Sequence, residues 1–245
     1  YIFNTETSIY LIDRNGDDVK GYPVKTETKM SNKMSVFDYD KNKKYRLLTA
    51  QDNKMVMYNA QGEIVKGFKA PLFVSKVNQP VTHFIVGGKD YIVGIDQQGN
   101  VKILNRKGKE RIKLEQQLRV SQNNTYRVHK SKTIANSCII ATDTFGTVVK
   151  LFLSDKIENM HFTDCTKEHS FQAEDVDNDQ VLDYVITDNG EVKVFNELKD
   201  VIFSESIDEE TNNDSQLFTT KSGIYISQFD TEEEEVYLYT IPNGN

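Results

Sequence analysis

The chain has 245 residues, 38% of them hydrophobic, with 30 Lys and Arg against 37 Asp and Glu for a net charge of −7. That supplies one sizeable core or a repeat array, and the acidic balance argues against general binding to DNA, which needs clustered cations. No apolar run reaches the roughly 18 residues a spanning helix needs, so no segment reads as a membrane helix.

The sequence opens on Tyr1 with no visible signal peptide, which reads as a processed or excised piece of a longer protein. IYLIDRNG from Ile9, MVMYNAQG from Met55 and VKILNRKG from Val101 align without gaps, and Gly16, Gly62 and Gly108 recur about every 46 residues. Related segments return at Val149, Val192 and Val236. Short alternating runs rich in Val, Ile, Tyr and Phe predict strands, and NAQGE, NRKGK, QQGN and DNGE between them predict tight turns.

In chain order, unit one (1–25) predicts strands at Tyr1–Asn4, Ile9–Asp13 and Val19–Pro23 and lacks an innermost strand. Unit two (34–70) predicts four, in MSVFDYD, YRLLTAQD, KMVMYN and EIVKGFK. Units three (81–116), four (124–164) and five (169–205) predict four each. Unit six (214–245) predicts Gln216–Thr220, Ile224–Phe229 and Val236–Thr240 and lacks an outermost strand. A four-stranded sheet cannot bury both faces alone, so neighbouring sheets must stack radially. The expected fold is an all-β, single-domain β-propeller of about six blades. Its incomplete end blades suggest an arc of a longer propeller rather than a closed ring.

The pattern I-Y-L-I-D-R-N-G, with Asp13, Asn59, Asn105 and Asn196 in one place of the unit, resembles the pyrroloquinoline-quinone-type propeller repeat. Repeats of that family carry a tryptophan that docks blades together, and this chain has no Trp. The resemblance therefore implies a non-catalytic member rather than a quinone-binding enzyme.

Unit five contains DVDNDQVLD, which is similar to the calcium loop of FG-GAP and integrin-type propellers, D-x-D-x-D-x-x-x-D. The resemblance implies a Ca²⁺ site built from Asp175, Asp177, Asp179, the carbonyl of Val181, and Asp183. The physics agrees: Ca²⁺ takes six to eight oxygens at about 2.3–2.6 Å, and carboxylates this close repel without a cation. The competing reading is a solvated acidic turn. Asp38, Asp40 and Asn42 repeat the loop in unit two, but Arg46 stands where the last carboxylate would be, which argues against calcium there.

Charge is uneven. Eleven acidic residues and only Lys221 as a base lie between Asp200 and Glu235, which reads as a solvated edge or an acidic partner surface. Lys102, Arg106, Lys107, Lys109, Arg111, Lys113, Arg119, Arg127, Lys130 and Lys132 form the opposite feature, against Glu110 and Glu115. Edge lysines block aggregation, and an anionic polysaccharide, lipid headgroup or protein is the alternative reason for them.

His161, Cys165 and His169 have zinc-like spacing but read as a solvated linker. Cys138 reads as a buried strand residue, and two cysteines make no disulfide framework. His83 is expected to be a satisfied structural histidine on an inner strand. Asp96, Asp143 and Asp188 recur after the second strand of successive units, which points to turn-making rather than catalysis. No nucleophile elbow, phosphate loop or zincin motif is present.

The expected function is a non-catalytic binding or scaffold module for a protein or glycan, stabilised by Ca²⁺. The alternatives are a lyase- or glycosidase-type propeller enzyme working at the central channel, or a purely structural domain of an envelope protein. The resemblances imply an extracytoplasmic bacterial setting, with no nucleic-acid partner.

Overall fold

The computed structural model describes residues 1–177, 179–206, 215–220, 223–229 and 234–241. Its regular elements are all strands: β1 Ile2–Asn4, β2 Ser8–Leu11, β3 Val24–Lys25, β4 Ser35–Phe37, β5 Arg46–Gln51, β6 Lys54–Asn59 and β7 Thr82–Val86. Next come β8 Lys89–Ile95, β9 Val101–Leu104, β10 Glu110–Ile112, β11 Arg127–His129, β12 Cys138–Thr142, β13 Val148–Phe152 and β14 Ile157–Met160. The chain ends with β15 Ser170–Glu174, β16 Asp183–Asp188, β17 Glu191–Phe195, β18 Val201–Ser206, β19 Ser215–Thr220, β20 Gly223–Phe229 and β21 Val236–Ile241. No helix of the described residues is long and apolar enough to cross a membrane.

Each sheet joins consecutive strands up and down, in the orders β1-β2-β3, β4-β5-β6, β10-β9-β8-β7, β11-β12-β13-β14, β15-β16-β17-β18 and β19-β20-β21. The six sheets fall within the six sequence repeats, and short hairpins explain the antiparallel order. The middle strands β5, β8, β12 and β16 are buried along almost their whole length, which a strand reaches only when both faces of its sheet are covered.

Two expected strands differ. Val19–Pro23 is not a strand: the Tyr22 amide bonds to the Val19 carbonyl in a turn, and β3 starts only after Pro23. The Val19 amide still donates to the Leu11 carbonyl of β2, but the turn interrupts the ladder and Pro23 has no N–H to give, so regular pairing resumes at Val24. The fourth strand of the second sheet shrinks to a bridge between Tyr58 and Ile64. There the chain turns at Val65 to bring Phe68 into the core, where its ring is 9% exposed. A phenyl group gains more from burial than an edge ladder gains from one more hydrogen bond.

Contacts divide the chain into two compact units. One comprises Tyr1–Arg119, Val128–Ile139 and Leu151–Ile157; the other comprises Val120–Arg127, Ile140–Lys150 and Glu158–Asn245. In the first, Ile9, Tyr22, Met30, Leu47 and Tyr58 pack the first sheet on the second. Leu48, Met55, Met57, Phe73, Ile92 and Leu104 pack the second on the third. In the other unit, Val176, Val185, Val192, Val194, Ile224, Ile226 and Ile241 pack the fifth sheet on the sixth.

Polar side chains that reach about one repeat ahead tie the sheets where a docking tryptophan is absent. The Asn124 amide donates to the His169 carbonyl at 3.0 Å, and its oxygen accepts from the Phe171 amide at 2.8 Å. Gln172 does the same one sheet later, donating to the Ser215 carbonyl at 2.7 Å and accepting from the Leu217 amide at 3.0 Å. Arg127 pairs with Glu174, and the buried Lys150 ammonium pairs with Glu197. A primary amide that both donates and accepts satisfies two backbone groups of the next sheet at once.

Candidate functional site

Most recurrent polar residues are consumed by turns. Asp13, Asn59, Asp96, Asn105 and Asp143 each use one side-chain oxygen to accept the amides two and four residues on, at 2.7–3.2 Å. Asn196 accepts from the Asp200 amide at 2.9 Å. One short side-chain oxygen thus closes the β-turn. Asp188 differs: it accepts from the Thr166 amide at 2.6 Å and from the Thr166 hydroxyl.

The acidic loop of the fifth sheet, between β15 and β16, brings together Asp175, Asp177 and Asp183. Oxygens of these three carboxylates lie within 4.8 Å of one another. Asp183 opens β16 and is 1% exposed; its Oδ2 accepts the Val176 amide at 2.8 Å. Burial, and then the carboxylates of Asp177, Asp179 and Asp175, push its carboxyl up to about 6. Asp175 Oδ2 accepts the Gln180 amide at 3.1 Å, while its Oδ1 is buried without a hydrogen-bond partner. Asp177 Oδ1 accepts the Asp179 amide at 3.1 Å.

Asp179 stands outside this group: its Oδ1 accepts the Val181 amide at 2.7 Å. Val181 lies on the same exposed stretch, itself 40% exposed. The orphaned oxygen and the raised Asp183 carboxyl are what a hard divalent cation would relieve, so Asp175, Asp177 and Asp183 fit Ca²⁺.

The loop between β4 and β5 shows the same template without the acid cluster. Asp38 accepts the amide five residues on, at Lys43, as Asp175 does from Gln180, and both donors have positive φ, 65° and 70°. Arg46 directs its guanidinium at the carbonyls of Lys44 and Tyr45, 3.2 and 3.1 Å away.

His83 on β7 is enclosed. Its Nε2 is 2.8 Å from Asp90 Oδ1, and its ring stacks on Phe37 at 4.3 Å and meets Tyr39 edge-on at 5.2 Å. Arg106 donates from Nε to the other oxygen of Asp90, from Nη1 to Asp40 at 2.6 Å and from Nη2 to the Tyr39 carbonyl at 3.3 Å. Its guanidinium also lies 4.6 Å from the centre of the Tyr39 ring. Burial lowers the His83 imidazole below its ordinary pKa, and the hydrogen bond to Asp90 only partly offsets it. The neutral ring therefore donates Nε2–H to the carboxylate. Nothing in the sequence marked Arg106 as the keystone of this cluster; it reads there as one base among ten.

The zinc-like trio does not assemble. His169 is buried, with Nδ1 2.7 Å from the Thr166 carbonyl and Nε2 3.0 Å from the Thr142 hydroxyl. His161 is exposed beside Asp164 at 3.3 Å, and the Cys165 thiol is turned to the Thr163 carbonyl. Among the described residues the group of side chains placed closely enough to hold a metal ion is Asp175, Asp177 and Asp183. Of the acidic tract at 200–235, residues 207–214, 221–222 (with Lys221) and 230–233 lie outside the described residues.

One open hollow of about 540 Å³ lies at the end of the third sheet, lined by Gly88, Lys89, Asp90, Arg106, Lys107, Lys109 and their neighbours Asn105 and Arg111.

No protein-family model and no curated protein matches the chain. Solved structures do. BBS1N in complex with ARL6DN, soaked with lead, aligns with all of this chain and 75% of that one, at TM-score 0.69 and 12% identity. The Neurospora crassa Pan2 WD40 domain aligns with all of this chain and 72% of that one, at TM-score 0.55 and 15% identity. A protein of unknown function from Bacteroides caccae aligns with 99% of this chain and 90% of that one, at TM-score 0.54 and 14% identity. At these identities the likeness carries the fold alone: the chain is a β-propeller.

Proposed function

We propose that this chain is a non-catalytic propeller module that holds a protein partner and is stiffened by one Ca²⁺ ion. The observation that carries the reading is the fate of its polar groups. Blade after blade spends them on turns and on ties to the next sheet, and the His83 cluster closes on itself. The charged turns at the sheet ends are what remains to be read by a partner. The likeness to BBS1N, solved in complex with ARL6DN, agrees with this reading. Turnover of glycan, ester or phosphoryl substrates by the purified chain overturns it.

Asp175, Asp177 and Asp183 are the protein ligands we assign to the ion, and further oxygens, such as the Val181 carbonyl and water, would be needed to complete its shell. The ion supplies charge compensation for three crowded carboxylates. An extracytoplasmic setting, where calcium is plentiful, suits so exposed a loop.

Calcium is expected to raise the melting temperature by mass action, with about 2.7 kcal/mol of stabilisation at a hundredfold excess over Kd. Asp177→Ala should abolish that response. Without metal, stability should fall as pH rises from about 4 to about 6. Over that range the folded chain keeps a proton on Asp183, at about 6, that the unfolded chain has already released. Asp183→Asn keeps an acceptor for the Val176 amide and removes the charge. It should therefore be more stable than the wild type at pH 7.5 without metal, by about 1–2 kcal/mol after allowance for solvent screening, and blind to calcium. A wild-type melt unchanged by millimolar calcium rejects the site.

A further inference from the structure

The third sheet ends in two hairpin turns on the same side. One turns through Gly87 and Gly88 into Lys89; the other runs Asn105–Arg106–Lys107–Gly108–Lys109. The second is pinned on both sides. Asn105 Oδ1 accepts the amides of Lys107 and Lys109 at 2.8 and 3.2 Å, and the Lys107 carbonyl accepts the Lys69 amide at 3.0 Å. One wall of the hollow is therefore fixed, and the β7–β8 hairpin forms the other.

Its charge is one-sided. Lys89, Lys107, Lys109 and Arg111 are exposed around it. The one acid in its wall, Asp90, is already held by His83 and Arg106. Arg106 is itself shared between Asp90 and Asp40. No described carboxylate pairs with Lys89, Lys107 or Lys109. Glu110, between Lys109 and Arg111, is exposed at an irregularity in the β9–β10 pairing and sets one negative charge against four positive ones. Four cations around one hollow repel one another until an anion enters, and their potential draws one in.

The chemistry of the lining selects among anions. Guanidinium forks favour phosphate and sulfate, but neither arginine is free to act as one: Arg106 is engaged, and Arg111 lies 5.3 Å from the centre of the Tyr91 ring. Tyr91 is 5% exposed, so the hollow offers no ring for a nucleobase to stack on. A concave pit does not match a flat bilayer. Three flexible ammonium groups around an open mouth suit separate carboxylates along an extended chain.

We infer that this hollow docks a carboxylate-rich segment of a protein partner, an inference that rests on the reading of the chain as a protein-binding propeller.

The test is titration of the full chain with poly-L-glutamate near physiological salt, followed by calorimetry. The triple variant Lys89→Glu, Lys107→Glu, Lys109→Glu should bind at least roughly tenfold more weakly. A control with equal charge change on the first sheet, Arg14→Glu, Lys20→Glu, Lys25→Glu, should stay within about twofold of wild type. Matching circular dichroism spectra exclude misfolding. Equal losses in the hollow variant and the control overturn the inference. So does tighter binding, by about tenfold, of a charge-matched heparin fragment, polyphosphate or phosphatidylserine vesicles than of poly-L-glutamate. Substrate turnover would reject the scaffold reading while leaving the glutamate titration interpretable, and unselective binding would reject the hollow while leaving the scaffold reading intact.

Discussion

Gly108→Ala is expected to cost about 3–4 kcal/mol. Gly108 has φ of 78°, and a Cβ there would lie 2.6 Å from both the Lys69 carbonyl carbon and the Ala70 nitrogen. Those are backbone atoms of the segment leading from the second sheet to the third, so no rotamer change relieves the overlap. The repeat supplies internal controls. At Gly62 the added carbon would meet a side chain, Val24, at 2.4 Å, and an intermediate loss is expected. At Gly16 it would meet nothing within 4 Å, leaving only the backbone penalty of φ 91°, about 1 kcal/mol. Urea unfolding of the three variants should rank them in that order. Equal losses at Gly108 and Gly16 would show that backbone conformation alone sets the requirement for glycine.

The second large effect is expected at Asp90. Asp90→Ala removes the carboxylate that joins His83 on one side and Arg106 on the other, both within the wall between the second and third sheets. The imidazole is left buried with an unpaired donor, and the guanidinium loses its inner anchor. Because Arg106 keeps Asp40 and reaches solvent, the loss should sit at the low end for a broken buried pair, about 3 kcal/mol. Asp90→Asn, which can still accept from His83, should lose less. The proton itself provides a second readout. In wild type the His83 ring titrates below the usual histidine range because burial outweighs the Asp90 bond. Asp90→Ala removes the opposing interaction, so NMR should find the ring titrating lower still. A loss under about 1 kcal/mol, with an unmoved titration, would show that the cluster is ornamental to stability.

The architecture was legible because the repeat constrains it three times over: in alternation, in turn chemistry and in spacing. Every expected sheet is present, and the turn role read for Asp96 and Asp143 holds in their hydrogen bonds. The misplaced strands fall where local pattern met a tertiary demand. Val19–Tyr22 alternates like a strand, but the turn at Tyr22 interrupts the ladder until after Pro23. Ile64–Phe68 looks like one too, but Phe68 is drawn into the core. The acidic loop was legible as spacing, yet spacing could not say that Asp179 would turn to the Val181 amide while Asp183 was buried. The Asp90–Arg106 link and the hollow were not legible. Both join turns some 16 residues apart, and no periodicity in sequence reports which neighbouring turns share a wall.

The placement of the two cysteines has a consequence for kinetics. Cys138 is sealed in β12, 2% exposed. Cys165 is packed over Gly146, its sulfur filling the place a Cβ would take, and burial with the nearby Asp188, Asp164 and Asp143 holds its thiol at about 11. Alkylating reagents attack the thiolate, so in the native state both sulfurs are poor targets for different reasons, one by access and one by proton affinity. Each becomes reactive when its own surroundings open. Timed alkylation read by mass spectrometry would therefore act as two natural clocks, one timing the opening of β12 and the other the lifting of the segment after β14 from the turn at Gly146.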